Sequence, residues 1–321
     1  MGYRRIRPMA EGGILTAVAI LFAFMSAYLP VIGAFVNLIW PVPIILLGVR
    51  HGYKWSLLTT AAAGLLIALL MHPLHAVSIV VGFGLIGIVL GHAIREKYGA
   101  MKTLAVGSVA SLLSKAAVMG IAFLVSGVDP LFGQSDIAAK ALEQSLELYQ
   151  SMGIQGEQLD KMRENMATIG SLIKIILPAG FVMAAVVDTY LNYVVARLVL
   201  RKLGHVLPEF PAFSRWQLPR AIAYAFVLAL VMLYWGQTRE IGWLKDVAMN
   251  IQVISSAMLF VQGLSLAVFL LERYNVSRLF RGMLFFFVFT NGFLTQIVIL
   301  AGAFDMVLDY RRLRKSDSAE E

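Results

Sequence analysis

The sequence predicts an all-α membrane protein, a polytopic bundle of eight or nine transmembrane helices. Hydrophobic residues make up 59% of the chain and charged residues only 14%, whereas a soluble domain has about 25% charged residues. The mean hydropathy is +0.78. The apolar residues also form runs long enough to cross a bilayer, which takes about 20 residues. A water-soluble chain of 321 residues could not bury so much apolar surface.

The apolar runs give nine candidate spans. They lie near residues 9–28, 31–49, 55–71, 74–93, 102–126, 169–196, 220–236, 247–271 and 282–307. The first run follows the basic letters RRIR, as a secretory signal does, but a second apolar run comes almost at once, so we expect a retained helix. Trp40, Pro41 and Pro43 predict a kink in the second span, because each proline lacks a backbone donor.

The ninth run leaves two interpretations open. A single helix from Gly282 to Leu308 would be about 40 Å long and would cross the bilayer with a tilt. A break at the letters TNG (290–292) would instead make a re-entrant hairpin. Nine crossings would put the basic tail 310–315 on the side opposite the N terminus, against the positive-inside rule.

The basic residues predict the orientation. Lysines and arginines cluster before the first span and after the second, fourth and sixth, while the connections YLPVIG and MHPLHA carry none. The positive-inside rule therefore places the N terminus in the cytoplasm and segment 127–168 outside. Helical spacing within this acidic segment predicts two amphipathic helices joined at GIQG. They would form either a lid over an outward-facing pocket or a passive cap over helix ends.

The residue that fits its surroundings least is Lys115, in the fifth span. A charge at mid-bilayer costs about 2.5–3.5 kcal/mol on insertion scales, so it turns inward and finds a partner. Ser111 lies one turn before it, and the sixth span offers Asp188 with Asn192 one turn later. Counting from the basic ends of two antiparallel helices places Lys115 and Asp188 at similar depth, about 14–20 Å in. We predict a buried Lys115–Asp188 pair, which either couples to a substrate or proton or pins two helices together.

Three further basic side chains are candidates for a pocket rim. His72 and His75 flank Pro73 at an outer turn, and Lys174 lies about one turn inside the sixth span. Two histidines three residues apart could ligate a metal, but no third ligand is near, so the sequence predicts no metal site. A plain turn is the alternative for the histidines, and contact with lipid headgroups is the alternative for Lys174.

Small residues recur at helical spacing on two spans. Ala19, Ala23 and Ala27 lie four apart on the first span, and Gly87 and Gly91 have GxxxG spacing on the fourth. Such faces let another helix approach closely, because lipid provides no hydrophobic force between helices. The pattern fits packing inside the protein as well as docking of a partner.

Long stretches of the chain resemble known membrane proteins. The letters ILTAVAILFAFMSAYLPVIG, LIWPVPIILLGVRHGYKWSLLTTAAAGLL and VVGFGLIGIVLGHAIREK are similar to the substrate-binding S components of energy-coupling-factor (ECF) transporters, over about residues 9–202. Nearly the whole chain, including LFVQGLSLAVFLLE and AGAFDMVLDYRR, resembles the YybS-like (DUF2232) family of bacterial membrane proteins. The second resemblance implies no particular activity.

The resemblance to S components implies a specific arrangement. Residues 1–202 would form a six-helix domain with an outward-facing pocket, bordered by His72, His75 and the 127–168 lid. Ala19, Ala23 and Ala27 would form the face that docks a membrane coupling protein, which two cytosolic ATPases drive. Residues 203–321 would add two or three helices and a basic tail, which vitamin S components lack.

The sequence predicts no catalysis and no cofactor. It contains no GxxxxGK[ST] nucleotide loop, no HExxH motif and no cysteine. The net charge of +8 comes from basic clusters beside apolar segments, so it does not indicate nucleic acid. Two functions remain: a solute-binding or transport component with an energising partner, and a non-transporting scaffold or regulator of the cell envelope. The expected contacts are membrane lipids, a small-molecule substrate, a coupling protein and its ATPases.

Overall fold

The structure is a computed structural model that describes residues 3–29, 31–127, 144–148, 150–151, 156–205 and 207–311. These residues are helical apart from short connections, and none of them lies in a β-strand. In this described part, seven helices are long and apolar enough to cross a membrane, or eight if one bent pair counts as a span. The predicted all-α polytopic bundle is confirmed.

The chain divides into two compact units. The first comprises Met1–Gly170 and Gly180–Glu209, and the second comprises Ser171–Ala179 and Phe210–Glu321. The sequence placed the division between residues 202 and 203. The observed division lies slightly later, and it assigns a short stretch of an earlier helix to the second unit.

The first unit begins with a series of helices separated by short connections. They are α1 (Tyr3–Tyr28), α2 (Ile32–Leu38), α3 (Val42–His51), α4 (Tyr53–Leu70), α5 (Pro73–Ile79), α6 (Leu85–Arg95) and α7 (Ala100–Ser126). A π-helical segment, Val80–Gly84, joins α5 and α6 into one span. The predicted span 31–49 is broken into α2 and α3, with Pro41 at the start of α3, so the predicted kink is confirmed.

Helices α3 and α6 touch at their backbones. A Cβ atom on Gly91 would lie 3.1 Å from the carbonyl oxygen of Ile45 and 3.2 Å from Cα of Gly48. A side chain at Gly91 would push the two backbones apart by a few tenths of an ångström, and close contact is what holds helices together where the solvent is lipid. The GxxxG spacing of Gly87 and Gly91 therefore packs the protein internally.

Gly91→Val is expected to lower the free energy of unfolding by about 1–3 kcal/mol, because the added carbons force α3 and α6 apart. Thermal unfolding in detergent measures the loss. Gly120→Val is the matched control, since a Cβ there meets nothing within 4 Å. Equal melting temperatures for the two variants would contradict this account of the contact.

Helix α8 (Glu157–Lys202) corrects one prediction. The segment after GIQG was expected to form a separate amphipathic helix, but it continues without a break into the sixth span, giving 46 helical residues. At about 69 Å the helix is more than twice as long as the hydrocarbon core is thick. Residues 128–143, 149 and 152–155 of the predicted lid lie outside the described part, so the lid stays a prediction.

Among its described residues after 210, the second unit has four α-helices: α9 (Ala221–Thr238), α10 (Gly242–Arg273), α11 (Arg278–Thr290) and α12 (Gly292–Leu308). Helices α11 and α12 are bent by 103° at their junction. The Asn291 side chain caps α12, accepting hydrogen bonds from the backbone nitrogens of Phe293 at 3.0 Å and Leu294 at 3.3 Å. The bend excludes one long helix and leaves a broken span or a re-entrant hairpin.

An ion pair lies in the core of the second unit. The side chains of Arg311 and Asp305 are both 0% exposed, with 2.8 Å between Nη2 and Oδ2. Nη1 also donates to the Ser214 carbonyl and the Ser265 hydroxyl, and Nη2 to the Trp216 carbonyl. Nε donates to the Asp305 carboxylate at 3.2 Å. All three guanidinium nitrogens therefore have partners, as a purely structural pair requires.

Candidate functional site

The predicted pair between α7 and α8 is present. Lys115 Nζ lies 2.8 Å from Asp188 Oδ2. The ammonium group also donates to Ser111 Oγ at 2.8 Å, and that hydroxyl donates to Asp188 Oδ2 at 3.0 Å. Asp188 is only 2% exposed, so a carboxylate here depends on these donors.

Asn192 ties the pair to α2. Its Nδ2 donates to the Asp188 carbonyl at 2.9 Å and to Asp188 Oδ1 at 3.3 Å. The same nitrogen donates to the Leu38 carbonyl at 2.8 Å. Leu38 is the last residue of α2, where carbonyl groups lack partners within the helix. Asn192 therefore satisfies a helix end and orients the carboxylate.

Buried polar atoms beside the pair have unused hydrogen-bonding capacity. Ser114 Oγ and Asn192 Oδ1 have no partner among the described residues, although the two residues are 1% and 0% exposed. Ser114 lies three residues after Ser111 and therefore on the same face of α7. We refer to Ser111, Ser114, Lys115, Asp188 and Asn192 as the Lys115 cluster.

A π-helical segment adjoins the Lys115 cluster. The ring of Phe83, within Val80–Gly84, has its centroid 5.9 Å from Lys115 Nζ, within reach of a cation–π contact. Segments of π-helix are rare and frequently lie at functional sites. Ionised residues inside membrane spans, such as Lys115 and Asp188, also commonly mark functional sites.

A glycine sets the distance between α7 and α8. A Cβ on Gly107 would collide with the side chains of Thr189 and Leu90. Gly107 lies two turns before Lys115 on the buried stripe of α7. This close approach brings the ammonium group within reach of Asp188.

The three basic residues predicted at a pocket rim differ in exposure and in contacts. His72 is exposed and caps α5, accepting a hydrogen bond from the Leu74 backbone nitrogen at 3.2 Å. His75 is half-buried, and its Nε2 has no partner among the described residues. Lys174 is exposed and belongs to the second unit. The rim therefore stays a prediction, and the described residues include no cluster of three metal-ligating side chains.

The predicted docking face on α1 is largely internal. Ala19 and Ala23 are 0% exposed and pack in a core with Trp40. The Trp40 indole nitrogen donates to the Ala19 carbonyl at 2.9 Å. Only Ala27 is exposed. The alanine spacing thus allows close packing within the unit, and Ala19 and Ala23 are not available to a partner.

Sequence reasoning missed several members of this site. Ser114 could have been found, since it lies on the stripe of α7 that was recognised from Ser111. The glycines in VVGFG mark the π-helical segment only weakly. The contact with the Leu38 carbonyl could not be predicted, because every residue has a backbone carbonyl and the sequence does not show which one accepts a side-chain hydrogen bond.

Comparison with known proteins identifies the family. The family described as "Predicted membrane protein (DUF2232)" matches residues 17–306. The chain belongs to the DUF2232 family. It is 24% identical over 269 residues to the "Uncharacterized protein YybS" of Bacillus subtilis (strain 168), covering 83% of this chain and 85% of that protein. No solved structure matches the chain, so the similarity to S components stays a prediction.

Proposed function

We propose that this integral membrane protein is the solute-binding component of a transport system and that the Lys115 cluster is its binding site. The observation that carries the proposal is the unused hydrogen-bonding capacity of Ser114 and Asn192 beside the ion pair. A buried polar group without a partner costs about 1–3 kcal/mol, and lipid offers no partner. A bound polar solute would recover that free energy.

A comparison of the Lys115–Asp188 pair with the Arg311–Asp305 pair supports this assignment. Arg311 is saturated with hydrogen bonds and its side chain is 0% exposed. Lys115 keeps 21% of its side-chain exposure. An ammonium group has three donors, and the described residues engage it through Ser111 and Asp188. A clamp needs neither a spare donor nor accessible surface, whereas a binding site needs both.

These groups define the kind of solute. Asn192 Oδ1 requires a donor, the spare N–H of Lys115 requires an acceptor, and the Ser114 hydroxyl accepts or donates. The solute is therefore polar, with both donors and acceptors. The proposal assigns it no chemical step.

Energy for transport would come from partners. The sequence has no nucleotide-binding loop of its own, so cytosolic ATPases acting through a membrane coupling protein complete the proposal. The protein would lie in the bacterial cell membrane with its N terminus in the cytoplasm, as the basic residues indicate. The buried positions of Ala19 and Ala23 require the coupling protein to use another surface.

Purification in a mild detergent followed by mass spectrometry tests the proposal. We expect a small polar molecule and ATPase subunits to co-purify, and Ser114→Ala to retain about two- to tenfold less of the molecule, the worth of one hydrogen bond. Ser108→Ala is the control, since the Ser108 hydroxyl already donates to the Leu104 carbonyl. Unchanged retention in Ser114→Ala would contradict the proposal.

A non-transporting scaffold or regulator of the cell envelope is the second candidate. It is favoured by cavities in the described part that are apolar and open. One is about 550 Å³ and is lined by residues 278, 279, 282, 283, 286 and 287 of α11. Recovery of envelope proteins alone, with no bound molecule, would favour this function.

A further inference from the structure

A groove runs between α1 and α4 on the surface of the first unit. It has a volume of about 490 Å³. Small residues form its floor: Gly12, Thr16 and Thr59 are buried. The Thr16 hydroxyl donates to the Gly12 carbonyl at 2.7 Å, so its proton is used within α1. Large apolar side chains rise at the sides: Met9, Leu58 and Leu66 are exposed.

The dimensions of the groove select a single alkyl chain. Its lining extends from Met9 to Ile20 on α1 and from Trp55 to Leu66 on α4. Either stretch is about 16 Å long, which is half the hydrocarbon thickness and thus one leaflet. Volume divided by length gives a cross-section of about 30 Å², which is room for one slender chain lying along the groove.

One end of the groove is positively charged. Arg7 precedes Met9, and Lys54 precedes Trp55. Arg50 also lies at this end. Glu11 Oε1 is 3.3 Å from Arg7 Nε, and Glu11 Oε2 is 3.2 Å from Arg50 Nη1. Arg7 and Arg50 thus share one carboxylate, which also lies 2.8 Å from His51 Nε2, and the exposed Lys54 adds a further positive charge at this end. Trp55 at the same end has the amphipathic ring that is enriched at headgroup level.

We propose that this groove binds an anionic phospholipid of the surrounding bilayer, with one acyl chain along Gly12, Thr16 and Thr59 and the phosphate at Arg7 and Lys54. The length of the groove places the acyl chain within a single leaflet. The excess of cations at its mouth distinguishes an anionic headgroup from a zwitterionic one. This site is separate from the Lys115 cluster and does not depend on solute binding.

Quenching of Trp55 fluorescence tests the site. The full chain is reconstituted in phosphatidylcholine vesicles with a minor fraction of a lipid whose acyl chains are brominated. That lipid is phosphatidylglycerol in one sample and phosphatidylcholine in the other. The Trp55→Phe variant isolates the Trp55 signal from that of the other tryptophans. We expect brominated phosphatidylglycerol to quench Trp55 with an apparent affinity about fivefold higher than that of brominated phosphatidylcholine. One basic residue near the membrane surface raises the affinity for an anionic lipid by about that factor.

Two variants test separately the apolar groove and the positive charge at its end. Gly13→Leu fills the groove, because a Cβ there meets nothing within 4 Å, and it should weaken quenching by both lipids. Lys54→Gln should reduce only the preference for phosphatidylglycerol. Gly120→Leu and Lys202→Gln are the matched controls, at an open helical glycine and an exposed lysine.

Three results would overturn the inference. The first is equal quenching by the two brominated lipids in the wild type. The second is a Gly13→Leu variant that behaves like Gly120→Leu. The third is a cross-linked dimer that Gly13→Leu abolishes, which would assign the groove to a second copy of the chain.

Discussion

Lys115→Met is expected to lower the free energy of unfolding by about 3–5 kcal/mol, the cost of removing one partner of a buried ion pair. The variant leaves Asp188, 2% exposed, without its cation. Ser111 and Asn192 still donate to the carboxylate, so the loss should lie towards the lower end of that range. Thermal unfolding in detergent measures it.

The double variant Lys115→Met/Asp188→Leu should recover most of this stability, because it removes both charges and leaves apolar side chains of similar size. A double-mutant cycle then gives the coupling energy of the pair. If the two substitutions destabilised the protein additively, the two side chains would not be coupled in the folded state. The double variant also offers a folded protein whose site has lost its charges, for use in solute-binding experiments.

Arg311→Met is expected to have an equally large effect in the second unit, about 3–5 kcal/mol. The substitution leaves the Asp305 carboxylate without a cation at 0% side-chain exposure. It also removes the Arg311 hydrogen bonds to the carbonyls of Ser214 and Trp216. The loss of stability is again read from thermal unfolding.

Arg239→Met is the matched control for this variant, because Arg239 is exposed at the end of α9. It should change stability by less than about 0.5 kcal/mol, as surface substitutions do. Similar losses for the two arginines would mean that Arg311 does not hold the core of the second unit. No change in solute retention is expected for Arg311→Met once the protein is folded, since its network is saturated.

The ion pair of the first unit could be predicted because charges in lipid are costly. Few ionised residues occur within the apolar runs, so Lys115 had few partners to choose from. Helical rise then placed Asp188 at matching depth. The pairing of Asp305 with a following arginine could be anticipated for the same reason. The bundle itself follows from the length of the apolar runs.

Which face of a helix is buried could not be predicted with the same ease. In water the buried face is apolar, but in a bilayer both the core and the surroundings are apolar. Helix α7 shows the consequence: Leu113 is 59% exposed, whereas Ser111 is 0% exposed. The resemblance to S components implied a docking face at Ala19 and Ala23, but both pack inside the unit. The continuity of α8 was missed because GIQG suggested a boundary and nothing after it showed whether the helix continued.

Cysteine accessibility at two neighbouring positions tests the central claim most directly. The chain contains no cysteine, so in each single-cysteine variant the introduced thiol is the only one that a reagent can modify. Lys115→Cys would place a thiol in the Lys115 cluster, where the native side chain keeps 21% exposure. Leu113→Cys would place one at nearly the same depth on the exposed face of α7. Thiols react as thiolates, which form in water and not in hydrocarbon. In membrane vesicles we predict that a charged thiol reagent modifies Lys115→Cys and leaves Leu113→Cys unmodified; an unreactive Lys115→Cys, or a fully reactive Leu113→Cys, would contradict a polar binding site enclosed in a lipid-embedded bundle.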